Sequence, residues 1–365
     1  MKLLPTLLIT TFVLHTAANA QQFLLLTGTY TQTGSKGICV HQWDAATGRA
    51  TAKDALATSN PSFLALAPDG KMLFAVNENQ PGTISCFRFN KSDGSGRLLN
   101  QVASGGNNPC YIAVHPSGKW LVAGNYSSGT LISYRIRKSG LTTPPLQTLQ
   151  HQGSSVNPTR QNSAHVHATV FAANGKELYV TDLGTDLLHI YQTTKRRGIV
   201  KEKQRLQLPA GSGPRHLAIH PNNNVLYVLN ELTATVAVVQ RNNQRWELQH
   251  LHPILPTLPE SEPGAADIHL SPDGRFLYCS NRGNTNSISV FSVSDNGSLH
   301  FLETKSSGGI KPRNFSIDPT GNYLLVANQD SDSIAVFRRS TETGRMSDTG
   351  IRIGIPMPVC LIWVQ

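Results

Sequence analysis

The stretch PRHLAIHPNNNVLYVLNE (214–231) decides the fold, because variants of it recur along the chain. Each copy has a small or turn residue, an alternating apolar strand, a tight turn, a second strand and a closing Asn or Asp. The other copies are PSFLALAPDGKMLFAVNE (61–78), PCYIAVHPSGKWLVAGNY (109–126), VHATVFAANGKELYVTDL (166–183), AADIHLSPDGRFLYCSNR (265–282) and PRNFSIDPTGNYLLVANQ (312–329). Such self-similarity indicates a repeat architecture.

The turn residues of the six copies measure the repeat. They are Gly70, Gly118, Gly175, Asn223, Gly274 and Gly321, at spacings of 48, 57, 48, 51 and 47 residues. Gly and Asn suit these positions because a tight hairpin turn needs a positive φ. Two further strand-like runs follow each copy, as in TISCFRF (83–89) and TLISYRI (130–136). Four strands in about 50 residues is the size of a β-propeller blade.

The two ends of the chain supply the missing copy. The 345 residues after position 20, divided by about 49 residues per repeat, give seven blades. PVCLIWVQ (358–365) matches a first strand, and QFLLLTGTY (22–30) matches a second strand. We therefore predict an all-β, seven-bladed β-propeller with four-stranded blades, whose ring is closed by pairing of the N- and C-terminal strands in one blade.

Composition excludes several other classes of protein. The 365 residues include 32 Lys plus Arg and 22 Asp plus Glu, which gives a net charge of +10. Charged residues make up 15%, against about 25% in a typical soluble protein. Gly is frequent but has no strict period, and Lys and Glu are scarce. Collagen, coiled coil and disorder are therefore excluded, and the composition argues against an all-helical fold.

The N-terminus has the features of a secretory signal peptide. Lys2 supplies a positive end, residues 7–14 are mostly apolar, and Ala18-Asn19-Ala20 is a small-residue cleavage site. We predict that residues 1–20 are a signal peptide cleaved near Ala20, and that 21–365 form one propeller domain, exported to the periplasm or secreted. The alternative is an N-terminal core strand or helix. No later segment approaches the roughly 20 apolar residues of a membrane span, so we expect no membrane insertion of the mature chain.

The basic balance points to small anions rather than to nucleic acid. The one basic run, residues 195–197, lies between two strand-like segments and is expected to be a solvated loop. The remaining basic residues are dispersed, so we predict no nucleic-acid partner. A positive field can still attract small anionic substrates. No feature of the sequence indicates an oligomeric state.

The cysteine pattern indicates neither a disulfide framework nor a metal centre. The five cysteines are widely spaced, and no C-x-x-C motif occurs: Cys39, Cys86, Cys110, Cys279 and Cys360. One disulfide remains an alternative in an oxidising compartment. Cys110 could be a nucleophile, but no base adjoins it in the sequence, which favours a buried thiol.

Repeat register identifies the candidate site. The residues eight positions before each turn are Ser62, Cys110, His167, Arg215, Ala266 and Arg313, with Val359 as the equivalent in the split blade. The residues that follow each closing Asn or Asp are Glu78, Tyr126, Leu183, Glu231, Arg282 and Gln329. Residues that hold the fold should look alike in every blade, whereas these differ.

Five of these residues come from consecutive blades and suit acid–base chemistry on an anion: His167, Arg215, Glu231, Arg282 and Arg313. The alternative is that each forms an ordinary inter-blade salt bridge or loop hydrogen bond. His165 and His167 form an H-x-H pair on one strand face. Two histidines can bind a metal weakly, but no third ligand is evident in the nearby sequence, so we predict no metal.

Several long strings resemble one family. GSGPRHLAIHPNNNVLYVLNELTATVAV (211–238), ADIHLSPDGRFLYCSNRGNTNSISVF (266–291) and KPRNFSIDPTGNYLLVANQDSDSIAVF (311–337) are similar to the seven-bladed propeller lactonases of the 6-phosphogluconolactonase type, as are TGTYT, HVHATVF and VTDLGTDLLHIY. The resemblance covers essentially the whole mature chain. The fold also resembles that of the fungal carboxy-cis,cis-muconate cyclase.

The resemblance implies hydrolysis of 6-phospho-D-glucono-1,5-lactone to 6-phosphogluconate, in the oxidative pentose phosphate route, without a cofactor. It implies His167, Arg215 and Glu231 as catalytic residues, with Arg282 as a fourth match to the cyclase site. We expect His167 to take a proton from water, with Glu231 as a group that could orient it, and Arg215 to stabilise the oxyanion. Arg282, Arg313 and His165 are expected to bind the substrate.

Two other functions stay open at this point. One is a cycloisomerase or lyase that acts on an unsaturated carboxylic acid with the same His, Arg and Glu. The other is a non-catalytic exported propeller that binds a partner or glycan on its rim, because a propeller fold alone does not establish chemistry. The predicted export also makes an unphosphorylated sugar lactone an alternative substrate.

Overall fold

A computed structural model describes residues 21–257 and 263–364, which form seven sheets of four antiparallel strands each. The signal peptide predicted over 1–20 lies outside the described residues. Blade 1 combines both ends of the chain: β1 Gln22–Thr29, β2 Gly37–Asp44, β3 Arg49–Ala57 and β28 Pro358–Val364. The prediction of seven four-stranded blades is confirmed.

The other six blades follow in chain order. Blade 2 is β4 Pro61–Leu66, β5 Met72–Asn77, β6 Thr83–Phe89 and β7 Gly96–Ala103; blade 3 is β8 Pro109–Val114, β9 Trp120–Asn125, β10 Thr130–Arg137 and β11 Gly140–Gln150; blade 4 is β12 Val166–Phe171, β13 Glu177–Asp182, β14 Leu187–Gln192 and β15 Lys201–Gln207.

Blades 5 to 7 complete the ring. Blade 5 is β16 Pro214–Ile219, β17 Val225–Asn230, β18 Thr235–Asn242 and β19 Arg245–Pro253; blade 6 is β20 Ala265–Leu270, β21 Phe276–Asn281, β22 Ser287–Val293 and β23 Leu299–Ser306; blade 7 is β24 Pro312–Ile317, β25 Tyr323–Asn328, β26 Ser333–Arg339 and β27 Met346–Gly354. A single-turn 3-10 helix lies at Gln329–Ser331. Within the described ranges, no helix is long and apolar enough to cross a membrane.

The innermost strands enclose a central channel. Each contacts the innermost strand of both neighbouring blades, in the order β28, β4, β8, β12, β16, β20, β24 and back to β28. In blade 1 the last strand of the chain pairs antiparallel with the first, with Leu26 opposite Ile362. This pairing confirms the predicted closure of the ring, which leaves no inner edge strand unpaired.

The hairpin turns have the conformation that the repeat predicts. All six turn residues have a positive φ: Gly70 68°, Gly118 67°, Gly175 64°, Asn223 57°, Gly274 74° and Gly321 76°. Asn is the non-glycine residue that most readily adopts this region. The repeat can therefore accept Asn223 where the other copies have Gly.

The core lies between the blades. Seven apolar clusters each join one pair of adjacent sheets. Trp43, Trp120 and Trp246 are fully buried in three of these interfaces. Packing blade against blade holds the channel-facing strands at fixed positions. All five cysteines are free, so the alternative of a disulfide is not supported.

Candidate active site at the channel mouth

A β-bulge interrupts the ladder at the equivalent position of every innermost strand and turns one residue, or two in blades 5 and 6, out of it. In six blades the pairing of the innermost strand with its neighbour shifts at the position eight residues before the turn. In blade 1 the same shift skips Val359. Bulges re-aim side chains and are common next to active sites. The sequence register that singled out His167, Arg215 and Arg313 therefore marks bulged positions.

Glu231 lies at the centre of a cluster of arginines. Its Oε2 is 3.0 Å from Arg215 Nε and 3.1 Å from Arg282 Nη2. Its Oε1 accepts a hydrogen bond of 2.6 Å from Arg160 Nη2. Side-chain exposure is 5% for Glu231, 2% for Arg215, 14% for Arg282 and 34% for Arg160. The cluster thus runs from a buried guanidinium to a half-exposed one.

The arginines keep Glu231 ionised. Burial alone would raise the pKa of Glu231, but attraction to Arg282, Arg215 and Arg160 outweighs it and lowers that pKa to about 2. Burial, reinforced by repulsion from Arg282, lowers the pKa of Arg215 to about 10, which leaves its guanidinium charged at neutral pH. In the described residues the side-chain polar contacts of Glu231 go to arginines rather than to His167. Glu231 therefore contacts the arginines, and its carboxylate has no direct hydrogen bond to His167 in this part of the chain.

His167 is a buried, neutral imidazole beside these charges. Its ring centroid lies 5.5 Å from that of Tyr126 and 5.4 Å from that of His216. Burial, and then repulsion from Arg215 and His216, lowers the pKa of His167 well below its usual value. The ring is uncharged at neutral pH, so it has a lone pair that can accept a proton.

His165 forms part of the wall of the mouth. Its ring stacks on Tyr126 at 4.4 Å between centroids, and its Nδ1 lies 2.9 Å from the carbonyl oxygen of Tyr126. A nitrogen this close to a carbonyl is a donor, so Nδ1 carries the proton. His165 and His167 thus flank the same tyrosine.

Arg313 belongs to a second group on the opposite blades. Its Nη2 is 3.3 Å from Glu78 Oε2, and its guanidinium lies over the Tyr30 ring, 5.3 Å from the centroid. Tyr30 donates a 2.8 Å hydrogen bond to the same carboxylate oxygen. Arg313 is still close enough to Glu231 and His167 to change their electrostatics. The two groups therefore face one site.

A buried network holds Arg215 from the side away from Glu231. Arg215 Nη1 donates to the carbonyl oxygen of Ala266 and lies 3.3 Å from His216 Nε2. His216 Nδ1 donates a 2.7 Å bond to Asp267, so Nε2 is the unprotonated nitrogen that accepts from Arg215. Burial opposes ionisation of Asp267, but His269 and His216 hold its pKa well below the usual range.

One aspartate fixes the two loops that carry the cluster. The Asp186 carboxylate accepts from Ser155 Oγ at 2.5 Å and Gln161 Nε2 at 2.8 Å, in the loop that carries Arg160. It also accepts from the backbone N–H groups of Gly211 at 2.7 Å and Gly213 at 2.6 Å, just before β16. Asp186 thus sets the position of Arg160 relative to Arg215.

An open cleft gives access to this cluster. It has a volume of about 490 Å³, and Arg160, Glu231, Arg282 and Lys311 are among its lining residues. A cleft of about 540 Å³ lies on the rim between blades 4 and 5, but there Glu177 already pairs with Lys203 and Arg241. The smaller cleft is therefore the better candidate for an anionic substrate.

Comparison with known proteins gives the family. A family model described as "Lactonase, 7-bladed beta-propeller" matches residues 24–363. The chain belongs to this lactonase family. A 6-phosphogluconolactonase from Bacillus subtilis is 30% identical over 342 residues, covering 92% of this chain and 96% of the relative. A 6-phosphogluconolactonase from Formosa agariphila is 34% identical over 295 residues, covering 79% and 83%.

Solved structures agree with the sequence relatives. The structure of a periplasmic gluconolactonase from Pseudomonas aeruginosa is 34% identical to this chain, with a TM-score of 0.89, and the match covers 94% of this chain and 99% of that one. The structure of a putative 6-phosphogluconolactonase from Bacteroides fragilis is 33% identical, also with a TM-score of 0.89. The expectation of a lactonase, and hence of a hydrolase, is confirmed.

Sequence reasoning missed several members of this candidate site. Arg160 lies in the long loop between β11 and β12, where the repeat register does not extend; the spacing of 57 residues between Gly118 and Gly175 indicated only that a longer connection lies here. Tyr126 and Glu78 stand in the same register set as Glu231. They were passed over because neither lies among the consecutive charged positions.

Cys110 is a buried thiol and not an activated nucleophile. Its Sγ lies 3.3 Å from the carbonyl oxygen of His167 and 3.9 Å from His167 Nδ1. Burial, and then repulsion from Glu78, raises the pKa of the thiol above its ordinary value. A reactive cysteine needs the opposite shift, because the thiolate is the nucleophile.

Proposed function

We propose that this chain hydrolyses 6-phospho-D-glucono-1,5-lactone to 6-phosphogluconate at the channel mouth. The observation that carries the proposal is the charge balance there. Four guanidinium groups, of Arg160, Arg215, Arg282 and Arg313, face two carboxylates, of Glu78 and Glu231. The excess of two positive charges matches a phosphate monoester, which carries about −1.5 to −2 at pH 7.

His167 is the general base in this proposal. Its neutral imidazole takes a proton from water while the water oxygen bonds to the lactone carbonyl carbon. The bond between that carbon and the ring oxygen then breaks. The imidazolium returns the proton to the departing ring oxygen, which leaves a free hydroxyl group and a carboxylic acid that ionises. Atoms and charge balance without any further reactant.

The arginines divide into two roles. Arg215, which is held by His216 and by Glu231, is placed to stabilise the oxyanion of the tetrahedral intermediate. Arg160, Arg282 and Arg313 bind the phosphate, since a guanidinium stays charged and offers parallel donors. Glu231 is a positioning residue, because it keeps the arginines oriented and partly neutralised in the absence of substrate.

Unphosphorylated gluconolactone is the second candidate substrate. We propose that residues 1–20 direct export, as their sequence indicates, and the Pseudomonas relative is described as a periplasmic gluconolactonase. A substrate outside the cytoplasm need not carry a phosphate. The positive charge excess at the mouth favours the phosphorylated lactone, so the two candidates predict different responses to loss of an arginine.

The test compares the two lactones on the mature protein, with spontaneous opening subtracted. We expect a higher kcat/KM for the phosphorylated lactone. Arg160→Gln should lower that value about 10- to 150-fold, since a hydrogen bond to a charged group contributes about 1.5–3 kcal/mol. The same variant should leave gluconolactone hydrolysis nearly unchanged. Arg245→Gln, on the exposed end of β19, is the matched control.

Other outcomes are equally informative. Hydrolysis of gluconolactone alone would overturn the phosphate assignment and favour the second candidate. Equal effects of Arg160→Gln on both lactones would show that Arg160 does not bind the phosphate. Hydrolysis of neither lactone, together with turnover of a muconate-type acid, would overturn the proposed reaction in favour of a cycloisomerase.

A further inference from the structure

A second cluster of ligand-type side chains lies at the boundary between blades 3 and 4. His151 directly follows β11, Asp182 ends β13 and His189 is in β14. All three are buried, and one ligand atom from each lies within 4.8 Å of the others. Across residues 21–257 and 263–364, this is the one group of three His, Cys, Asp or Glu residues with such geometry.

The hydrogen bonds of the cluster leave one imidazole nitrogen free. His151 Nδ1 donates to Asp182 Oδ2 at 2.9 Å, so its Nε2 accepts from the Tyr191 hydroxyl, also at 2.9 Å. His189 Nδ1 donates to Glu202 Oε1 at 2.8 Å. His189 Nε2 is therefore unprotonated, and it is buried without a hydrogen-bond partner. A buried polar atom without a partner needs an explanation.

The hydrogen bonding of His189 leaves it in the form that a ligand needs. Nδ1 carries the proton that Glu202 accepts, so the lone pair on Nε2 is available. A metal-binding imidazole must present such an unprotonated nitrogen.

The fold does not require these residues. In five other blades the residue that ends the second strand is Asn: Asn77, Asn125, Asn230, Asn281 and Asn328. Asn125 donates its side-chain amide to the carbonyl oxygen of Ser104 at 2.7 Å, a bond that Asp182 cannot donate. In blade 4 the bond between His151 and the Asp182 carboxylate therefore takes the place of this amide-to-carbonyl bond.

The position of His189 also departs from the repeat. His189 lies in the third strand of blade 4. At the equivalent position of the third strand, the other blades have small or aliphatic residues: Cys39, Ser85, Ile132, Ala237, Ser289 and Ala335. Glu202, which is opposite Tyr191, replaces apolar residues in three blades: Leu98, Leu248 and Phe301. Four departures thus meet at one place.

We propose that His151, Asp182 and His189 bind a divalent transition-metal ion of the zinc class. Two imidazoles and a carboxylate are ligands that such ions accept. Glu202 would act as the outer carboxylate that orients His189 through Nδ1. A cleft of about 440 Å³, lined by His151, His189 and Glu202 among others, gives an ion and its remaining water ligands access from the rim.

The geometry needs a small closure. Ligand atoms on a tetrahedral zinc are about 3.4 Å apart, which follows from bond lengths of about 2.0–2.1 Å. In this structure the ligand atoms lie within 4.8 Å of one another, and His151 Nδ1 is already 2.9 Å from Asp182 Oδ2, so small side-chain adjustments reach this spacing. Asp182 Oδ1 also accepts from the backbone N–H groups of His165 at 2.8 Å and Gly184 at 3.1 Å. An ion here would therefore brace the backbone that leads to the channel mouth.

Metal titration tests the site independently of any lactonase activity. The mature chain, free of affinity tags and dialysed against EDTA, is titrated with Co²⁺ while the visible absorption of the bound ion is followed, and with Zn²⁺ by calorimetry. We expect saturation at one ion per chain. His189→Gln should weaken binding by more than tenfold, and Glu202→Gln by about 10- to 100-fold, as for other outer-sphere partners.

The controls separate this cluster from adventitious binding. His250→Gln/His300→Gln removes two exposed histidines of blades 5 and 6 and should leave the affinity unchanged. Far-UV circular dichroism checks that each variant is folded. If His189→Gln does not fold, Glu202→Gln still tests the site, because its side-chain oxygen can accept the hydrogen bond from His189 Nδ1. The proposal fails if no saturable binding occurs, if Glu202→Gln and His189→Gln bind like the wild type, or if only the exposed pair matters.

Discussion

Glu231→Gln tests the electrostatic account of the mouth most fully, because it removes one charge and almost no volume. The variant leaves Arg215 buried without its carboxylate partner, next to Arg282. A pKa of about 2, against the ordinary 4.5, corresponds to roughly 3 kcal/mol of stabilisation of the ionised form, at about 1.36 kcal/mol for each pKa unit. Breaking a buried ion pair costs about 3–5 kcal/mol, which agrees.

The expected loss depends on pH in a defined direction. The pKa of Glu231 is lower in the folded protein than in the unfolded chain. Its contribution is therefore fully present above about pH 4.5 and is lost as the pH falls toward 2. We predict that Glu231→Gln lowers the free energy of unfolding by about 3 kcal/mol at pH 7 and that the deficit narrows below pH 4.5.

Urea unfolding measures this deficit. Tryptophan fluorescence and far-UV circular dichroism should give coincident transitions, which justifies a two-state free energy. Glu247→Gln makes the same chemical change at an exposed position of β19 and should alter stability by less than about 0.5 kcal/mol. If Glu231→Gln unfolds at the same urea concentration as this control, the arginines do not depend on Glu231 and the reasoning is refuted.

Three further variants or profiles probe the mouth. In the pH–rate profile, the acid limb of kcat/KM should lie below pH 6.5, the ordinary pKa of histidine, with a plateau above it. The reason is that the neutral form of His167 is the active one and burial lowers the pKa of this residue. An acid limb above pH 7 would contradict this role of His167. Cys110→Ala should change kcat by less than about tenfold, whereas loss of a true nucleophile costs about 10⁶. Asp186→Asn should raise KM more than it lowers kcat, since it loosens the loop that carries Arg160; steady-state kinetics showing the reverse split would rule out a positioning role.

The repeat made the fold predictable from sequence to an unusual depth. Each blade must solve the same packing problem, so turn residues such as Gly70 and Asn223 recur in register and reveal the strands between them. The apolar run at 358–364 could be assigned to an inner strand because Pro358 aligns with Pro312. A fold without repeats would offer no such internal comparison.

The candidate site was only partly accessible from the sequence. His167, Arg215 and Arg313 could be found because a bulge recurs at one position of every inner strand, although the alternation of residues did not reveal the bulge itself. Arg160 could not be found, since an irregular loop has no register. Which arginines Glu231 would contact depends on distances between blades, and these are set by packing rather than by local pattern.

The most direct test of the central claim is the turnover number of His167→Gln on freshly generated 6-phosphogluconolactone. Glutamine approximates the size of histidine but cannot accept a proton from water at neutral pH. We predict a fall in kcat of about 10²- to 10⁴-fold, the usual contribution of a general base, while His300→Gln at an exposed position of β23 keeps wild-type turnover. A folded His167→Gln variant with wild-type kcat would show that the lactone is opened by another group.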